Sequence, residues 1–202
     1  YKDAAVVAFP TPAGETVKMA DFHPRFTVGG GAAPADPTAI TLPSPQVDQP
    51  QHIGIEFARP FTAQLLSFKL GYGVRAGTGR IEVSDDGRSF RAVDTFALTP
   101  SGRVQLHSFP RVTANIFRVV FTLVSPRPRQ IVVKELTLSS RRGVDNAVAK
   151  AFFSRAGSRD LAPDFVSEEV VARGATVDLT GRLDATGRLA WDVPAGDWTI
   201  LR

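Results

Sequence analysis

The chain has 202 residues, of which 43% are hydrophobic and 22% are charged, so it is long enough to bury a full core and is predicted to fold. Its net charge of +4 comes from arginines scattered along the chain rather than from one basic stripe, which argues against nucleic-acid binding. Because it contains no cysteine, disulfides, thiolate zinc sites and cysteine nucleophiles are excluded. No apolar run reaches the roughly 20 residues that a membrane-spanning helix needs.

The N-terminal part of the chain, residues 1–50, predicts one strand followed by an irregular excursion. The segment YKDAAVVAFPTP contains the strand-like AAVVAF but neither an initiator methionine nor a signal-peptide pattern, and we expect sequence upstream of it. From Gly29 to Pro50 the chain is rich in Gly and Pro and poor in long apolar side chains. This composition indicates a long surface loop leading into the main core.

Residues 51–140 carry a series of short segments in which apolar and polar side chains alternate with a period of two. Many short strands separated by turn signals, with little helical periodicity between them, predict an all-β antiparallel β-sandwich. The phase of the alternation predicts five core residues in particular: Phe57, Phe68, Phe117, Val119 and Phe121.

Within this series, RIEVSDDGRSF places two adjacent carboxylates, Asp85 and Asp86, before a glycine. Such a pair could be a metal site, a catalytic pair or the turn of a hairpin. Ile81 and Val83 alternate with polar residues before it, and an apolar run begins at Phe90 after it. Since Asp-Gly between two strand-like runs is a strong hairpin signal, we predict that residues 85–88 form an exposed turn.

Residues 141–202 predict one short helix and then a return to strands that pack on the sandwich or lead to a missing catalytic domain. In VDNAVAKAFFS, Val144, Val148 and Phe152 recur at a spacing of four, as on one face of a helix. Both chain ends resemble strands that have been cut. We therefore predict that Ala4 to Phe9 and Trp198 to Leu201 lie on one side of the sandwich, where they could pair as neighbouring strands. Pro10 and Pro194 would mark where the chain enters and leaves this pairing.

No catalytic residue is predicted. A glycosidase needs two carboxyl groups about 5 Å apart, or roughly 6.5 to 9.5 Å apart, across the scissile bond. Adjacent carboxylates, whether Asp85 with Asp86 or Glu168 with Glu169, do not easily meet this requirement, since neighbouring residues point in different directions. The histidines, His23, His52 and His107, share no metal-ligand spacing, and the metal content stays unknown.

The loop GYGVRAGTG, Gly71 to Gly79, is the predicted carbohydrate-contact surface. It places an aromatic ring, Tyr72, and a planar donor, Arg75, among glycines that let the backbone approach a ligand. An exposed loop without a ligand, or one packed on a neighbouring domain, is the alternative. Trp191 and Trp198 lie in alternating apolar segments, so burial is favoured over a role as sugar-stacking platforms.

Two sets of segments resemble known families. IGIEFARPF, RIEVSDDGRSF, NIFRVVFTL and VVKELTLSS resemble a discoidin-like domain, which implies a jelly-roll sandwich of the galactose-binding type. YKDAAVVAFPTP and VDLTGRLDATGRLAWDVPAGDWTILR resemble internal segments of glycoside hydrolase family 106, the bacterial α-L-rhamnosidases, in which β-sandwich modules accompany a catalytic (β/α) barrel. The resemblance further implies a bound Ca²⁺ as the one cofactor to consider, held by backbone carbonyls and a carboxylate.

The function implied by the resemblance is that of a non-catalytic β-sandwich region of a rhamnosidase. Its partners would be the other domains of the same polypeptide and, at the rim of the cleft, a rhamnose-containing oligosaccharide. The parent would be a glycoside hydrolase, with a periplasmic or extracellular location favoured. Two alternatives stay open: an autonomous carbohydrate-binding module, which would bind sugar in isolation, and a structural spacer, which would expose a large apolar patch.

Overall fold

The fold comes from a computed structural model, which describes residues 5–12, 17–29, 31–32, 38–46, 48–74, 76–99, 102–124, 129–143 and 170–202. These ranges contain β-strands and three short 3₁₀ helices, Met19–Phe22, Arg173–Ala175 and Thr180–Arg182, and no α-helix. Consequently no helix in the described ranges is long and apolar enough to cross a membrane. The helix predicted over residues 144–154 lies outside the described residues.

Eleven strands are present in the described ranges. In chain order they are β1 Val7–Pro10, β2 Arg25–Val28, β3 Gly31–Ala32, β4 Ala39–Pro43, β5 Gln51–Leu70, β6 Gly77–Ser84, β7 Arg91–Leu98, β8 Val104–Leu123, β9 Gln130–Ser139, β10 Val177–Asp178 and β11 Trp198–Leu201. The chain divides into two compact units, one of Val17–Leu161 and one that joins Tyr1–Thr16 to Ala162–Arg202. The ranges 1–50, 51–140 and 141–202 stay a prediction of domain organisation.

The larger unit is an antiparallel β-sandwich, as the alternation predicted. Its strands are ordered β3-β2-β5-β8-β6-β7, and β9 pairs with both β4 and β5. The first part of β5 pairs with β2, and its second part, from Leu65, pairs with β9. The two long strands β5 and β8 therefore run through both layers and join them.

Strands β5 and β8 are longer than the short strands that the alternation predicted for residues 51–140. Each is one continuous strand of 20 residues that contains a proline, Pro60 or Pro110. The β5–β8 register shifts between Glu56 and Phe61, so Pro60 lies at an irregularity of the ladder. Because proline has no N–H to donate, a bulge is where a strand tolerates it without losing a ladder hydrogen bond.

The core between the layers is rich in phenylalanine. Phe61 of β5 stacks on Phe57 with ring centroids 4.8 Å apart, and Phe117 of β8 meets Phe57 edge-on at 5.9 Å. Fully burying one such side chain contributes roughly 1.5 to 3 kcal/mol. The prediction of core residues is confirmed for all five that the alternation named: Phe57, Phe68, Phe117, Val119 and Phe121.

The smaller unit is built from the two ends of the chain. Its three-stranded sheet has the order β10-β1-β11, with β1 in the centre. The predicted pairing of the ends is confirmed, since Ala8 of β1 lies opposite Ile200 of β11 in an antiparallel ladder. Its core is small: Val6, Ala8 and Leu179 are fully buried, and the partly buried side chains packed against them include both tryptophans.

Candidate functional site

The loop that follows β5 holds one of the two predicted carbohydrate-contact residues in solvent. Its entry is fixed because Gly71 N donates to the Val132 carbonyl oxygen at 2.7 Å, and Val74 beyond it is buried. Tyr72, between these two anchors, is 99% exposed, and Gly73 turns the chain with a φ of +96°. The ring is thus available to a ligand. Arg75 lies outside the described residues, so its pairing with Tyr72 stays a prediction.

The outer face of the β6–β8 pair carries a cluster of charges that the sequence interpretation did not identify. Glu82 lies on the face opposite to its buried neighbours Ile81 and Val83. Its Oε1 accepts a hydrogen bond from Arg80 Nε at 2.6 Å, and its Oε2 accepts one from Arg118 Nε at 2.6 Å. The Glu82 side chain is only 7% exposed, so the two guanidinium groups replace most of the water around it.

This arrangement keeps Glu82 ionised. Burial by itself would raise the pKa of the Glu82 carboxyl, but the hydrogen bonds and positive charges of Arg118 and Arg80 together lower it below its usual value. Both carboxylate oxygens are occupied by donors. A group of this kind holds two strands together, and it does not have the raised pKa that a general acid needs.

Two further side chains adjoin the cluster. The Arg118 guanidinium carbon lies 3.8 Å from the centroid of the Phe90 ring, a cation–π contact that fixes the plane of the guanidinium. The pKa of His52 is lowered, first by burial and then by the positive charge of Arg118, with Glu82 acting in the opposite direction. The imidazole is therefore mainly neutral at pH 7 and adds little charge to this face.

The two adjacent aspartates form the turn of a hairpin, as predicted. Strands β6 and β7 pair antiparallel, and residues 85–88 between them are exposed. Asp86 Oδ1 accepts hydrogen bonds from the backbone N–H groups of Arg88 and Ser89, both at 2.8 Å, and from the Ser84 hydroxyl at 2.9 Å. These bonds lower the pKa of Asp86. The hydrogen-bond donors of the turn itself therefore engage Oδ1 of Asp86.

The described part of the chain contains no group of three or more His, Asp or Glu side chains that could hold a metal ion. The three histidines lie on separate elements. His23 follows a 3₁₀ helix and is exposed, His52 lies near the start of β5, and His107 on β8 stacks on the Phe96 ring at 3.9 Å. Glu168 and Glu169 lie outside the described residues, and Ca²⁺ binding stays a prediction.

The two tryptophans pack on each other in the smaller unit. Their rings meet edge-on with centroids 5.2 Å apart, and Trp198 Nε1 donates to the Pro194 carbonyl oxygen at 3.1 Å. Both are partly buried against the core of Val6, Ala8 and Leu179. This packing is the structural role that the alternation favoured, with less complete burial than expected.

Two comparisons with known proteins cover nearly the whole chain. The family model described as alpha-L-rhamnosidase, glycoside hydrolase family 106, matches residues 1–202. The structure of a rhamnosidase from Novosphingobium sp. PP1Y is 27% identical, with a TM-score of 0.63, over 98% of this chain and 19% of that chain. The chain thus spans about a fifth of that rhamnosidase.

Two more distant similarities cover part of the chain. A Formosa agariphila protein provisionally named as a β-glucuronidase is 29% identical over 96 residues, which are 46% of this chain and 7% of that protein. A CBM32 module from Clostridium perfringens, in complex with GalNAc-β-1,3-galactose, is 14% identical with a TM-score of 0.45 over 57% of this chain and 94% of that chain.

Proposed function

The chain belongs to glycoside hydrolase family 106, the α-L-rhamnosidases, and on that premise we propose that it is a non-catalytic β-sandwich region of a larger rhamnosidase-like enzyme. The observation that carries this proposal is its match, over 98% of its own length, to only 19% of the Novosphingobium rhamnosidase. A region of this size leaves most of such an enzyme elsewhere. Its role would be to support the catalytic domain.

The chemistry of the described carboxyl groups supports a non-catalytic role. Glycoside hydrolysis uses a general acid whose pKa is raised so that it still holds a proton at the working pH. In the described ranges, all the pKa shifts found for carboxyl groups are downward. The groups are Glu82, Asp86, Asp178 and Asp184. Each of these is an ionised acceptor of structural hydrogen bonds.

The proposal is tested by assaying the purified 202-residue chain with an aryl α-L-rhamnoside beside the parent enzyme. We expect turnover by the parent and none by the chain. Turnover by the chain that is abolished by one substitution, with Glu168→Gln and Glu169→Gln as the first to make, would overturn the proposal. A chain that is folded by circular dichroism but inactive supports it.

Carbohydrate contact is a second candidate function, and the exposure of Tyr72 favours it. A tyrosine ring in solvent offers its face to the C–H surface of a sugar, and its hydroxyl offers a hydrogen bond. Titration with rhamnose-containing oligosaccharides, followed by calorimetry, would show binding that Tyr72→Ala removes. Equal heats for the wild type and the variant would exclude Tyr72 from the contact. No heat from either would favour a purely supporting region.

A further inference from the structure

Strand β11 lies at one edge of the small sheet formed by the chain ends. The central strand β1 pairs with β10 on one side and with β11 on the other. Within the described ranges, β11 has β1 as its single partner. One row of backbone N–H and C=O groups on β11 therefore has no strand beside it.

The register shows which groups these are. Thr11 N donates to the Asp197 carbonyl oxygen at 2.9 Å, which makes these two residues a hydrogen-bonded pair of the antiparallel ladder. Since hydrogen-bonded pairs alternate with non-hydrogen-bonded ones, Thr199 and Leu201 direct their N–H and C=O groups to β1. Trp198 and Ile200 direct theirs away from β1, to the open edge.

Strand β11 carries an exposed apolar side chain on each face of the sheet, and its one polar residue, Thr199, hydrogen-bonds to Thr11. Ile200 lies on the face of Ala8 and is 46% exposed, and Leu201 lies on the face of Val7 and is 54% exposed. Exposed apolar side chains clustered on an unpaired edge strand mark a surface suited to interaction with another chain segment. Edge strands are normally protected by short length, charged residues, prolines or bulges, and WTIL, although only four residues long, contains no charge, proline or bulge.

We propose that β11 is an interior strand of a larger sheet, completed by an extended segment of the same polypeptide outside these 202 residues. That segment would pair with the outward groups of Trp198 and Ile200, and it or its flanks would cover Leu201. The inference rests on the proposed function, because it requires the chain to be part of a longer enzyme. Because the chain matches only 19% of a rhamnosidase, the rest of such an enzyme is long enough to supply this segment. A segment of the same polypeptide also has a high effective concentration near β11.

Hydrogen exchange at single amides tests this directly, in the parent enzyme and in the 202-residue chain. The amides of Trp198 and Ile200 should exchange slowly in the parent and at least tenfold faster in the chain. The amides of Thr199 and Leu201, which bond to β1 in both, are the internal control and should stay protected in both. Equally fast exchange of Ile200 in the two proteins would overturn the inference.

A substitution pair provides the second measurement. Ile200→Lys in the parent should lower the thermal midpoint by a few degrees, because it places a charge in a covered sheet. Val193→Lys is the matched control, since Val193 is 58% exposed and lies outside β11. An unchanged midpoint for Ile200→Lys contradicts the inference. If that variant does not accumulate, exchange in the wild-type parent decides.

The remaining outcomes separate this inference from the proposed function. Protection of Ile200 that rises with the concentration of the 202-residue chain, together with dimer formation, would identify a second copy as the occupant and refute the intramolecular segment. A parent that hydrolyses rhamnosides while its Ile200 amide exchanges fast would leave the proposed function intact and refute the strand addition alone.

Discussion

Arg118 and Glu82 face each other across neighbouring strands, with Arg118 Nε 2.6 Å from Glu82 Oε2. We expect Glu82→Gln to destabilise the chain by about 1 to 3 kcal/mol, because two partly exposed guanidinium groups lose their shared carboxylate. The difference is measured by urea denaturation at pH 7. Glu135→Gln is the control, since its ion pair with Lys69 is exposed and should be worth less than about 1 kcal/mol. Equal losses in the two variants would contradict the prediction.

The same carboxylate predicts how stability depends on pH. The folded state lowers the pKa of Glu82 below its ordinary value of 4.5, so its stabilising contribution is fully present above that pH. It is lost as the pH falls through the lower, folded-state pKa. The gap between the urea midpoints of the wild type and Glu82→Gln should therefore be constant from pH 7 to about 5 and close in more acidic buffers. A gap that widens in acid would mean that the pKa is raised instead.

The hairpin turn allows two neighbouring carboxylates to be compared. Asp86→Ala should lower the urea midpoint, because Oδ1 of Asp86 accepts from the N–H groups of Arg88 and Ser89. Asp85→Ala should leave the midpoint close to that of the wild type, since no such hydrogen bonds stabilise the turn through Asp85. If instead Asp85→Ala were the more damaging of the two, residues 85–88 would have a role beyond the turn.

The largest loss in the free energy of unfolding is expected for a substitution in the core. Phe117 is fully buried between the two layers, so Phe117→Ala should cost about 3 to 5 kcal/mol through lost burial and the cavity that remains. Chemical denaturation measures it. Tyr72→Ala, at an aromatic side chain that is 99% exposed, should change stability by no more than about 0.5 kcal/mol. Wild-type-like denaturation of Phe117→Ala would refute the packing described for β8.

The sequence predicted the sandwich well because the alternation within each strand indicates which of its side chains face the core. Phe117, Val119, Phe121 and Leu123 recur at every second position, so a period of two indicates which face is buried even though Val120 interrupts the polar side. Strand continuity was not predicted, because Pro60 and Pro110 normally mark a strand's end. Each proline lies at its own register shift in the β5–β8 ladder, and such a shift is a property of the pairing and not of either segment.

The charge cluster could not be predicted from one segment. In RIEVS, Glu82 has the spacing of an outward, solvated residue, and its burial results from Arg118, which a different strand supplies. Which strands become neighbours depends on long-range pairing, and local alternation does not encode it. The turn at Asp86 shows the opposite case: all its hydrogen-bond partners lie within three residues, so the local sequence was sufficient.

The pairing of β1 with β11 also sets an order for biosynthesis. The residues from Val7 to Leu201 must all be translated before this ladder can close. At roughly 5 to 20 residues per second, the first strand waits about 10 to 40 s for its partner, while the sandwich strands between them are already complete. Until Val177 and Asp178 of β10 have been made, the nascent chain displays an apolar strand with both edges open. A ribosome that stalls before β10 releases a product with the same exposed strand, and we expect chaperones and proteases to recognise such truncated chains.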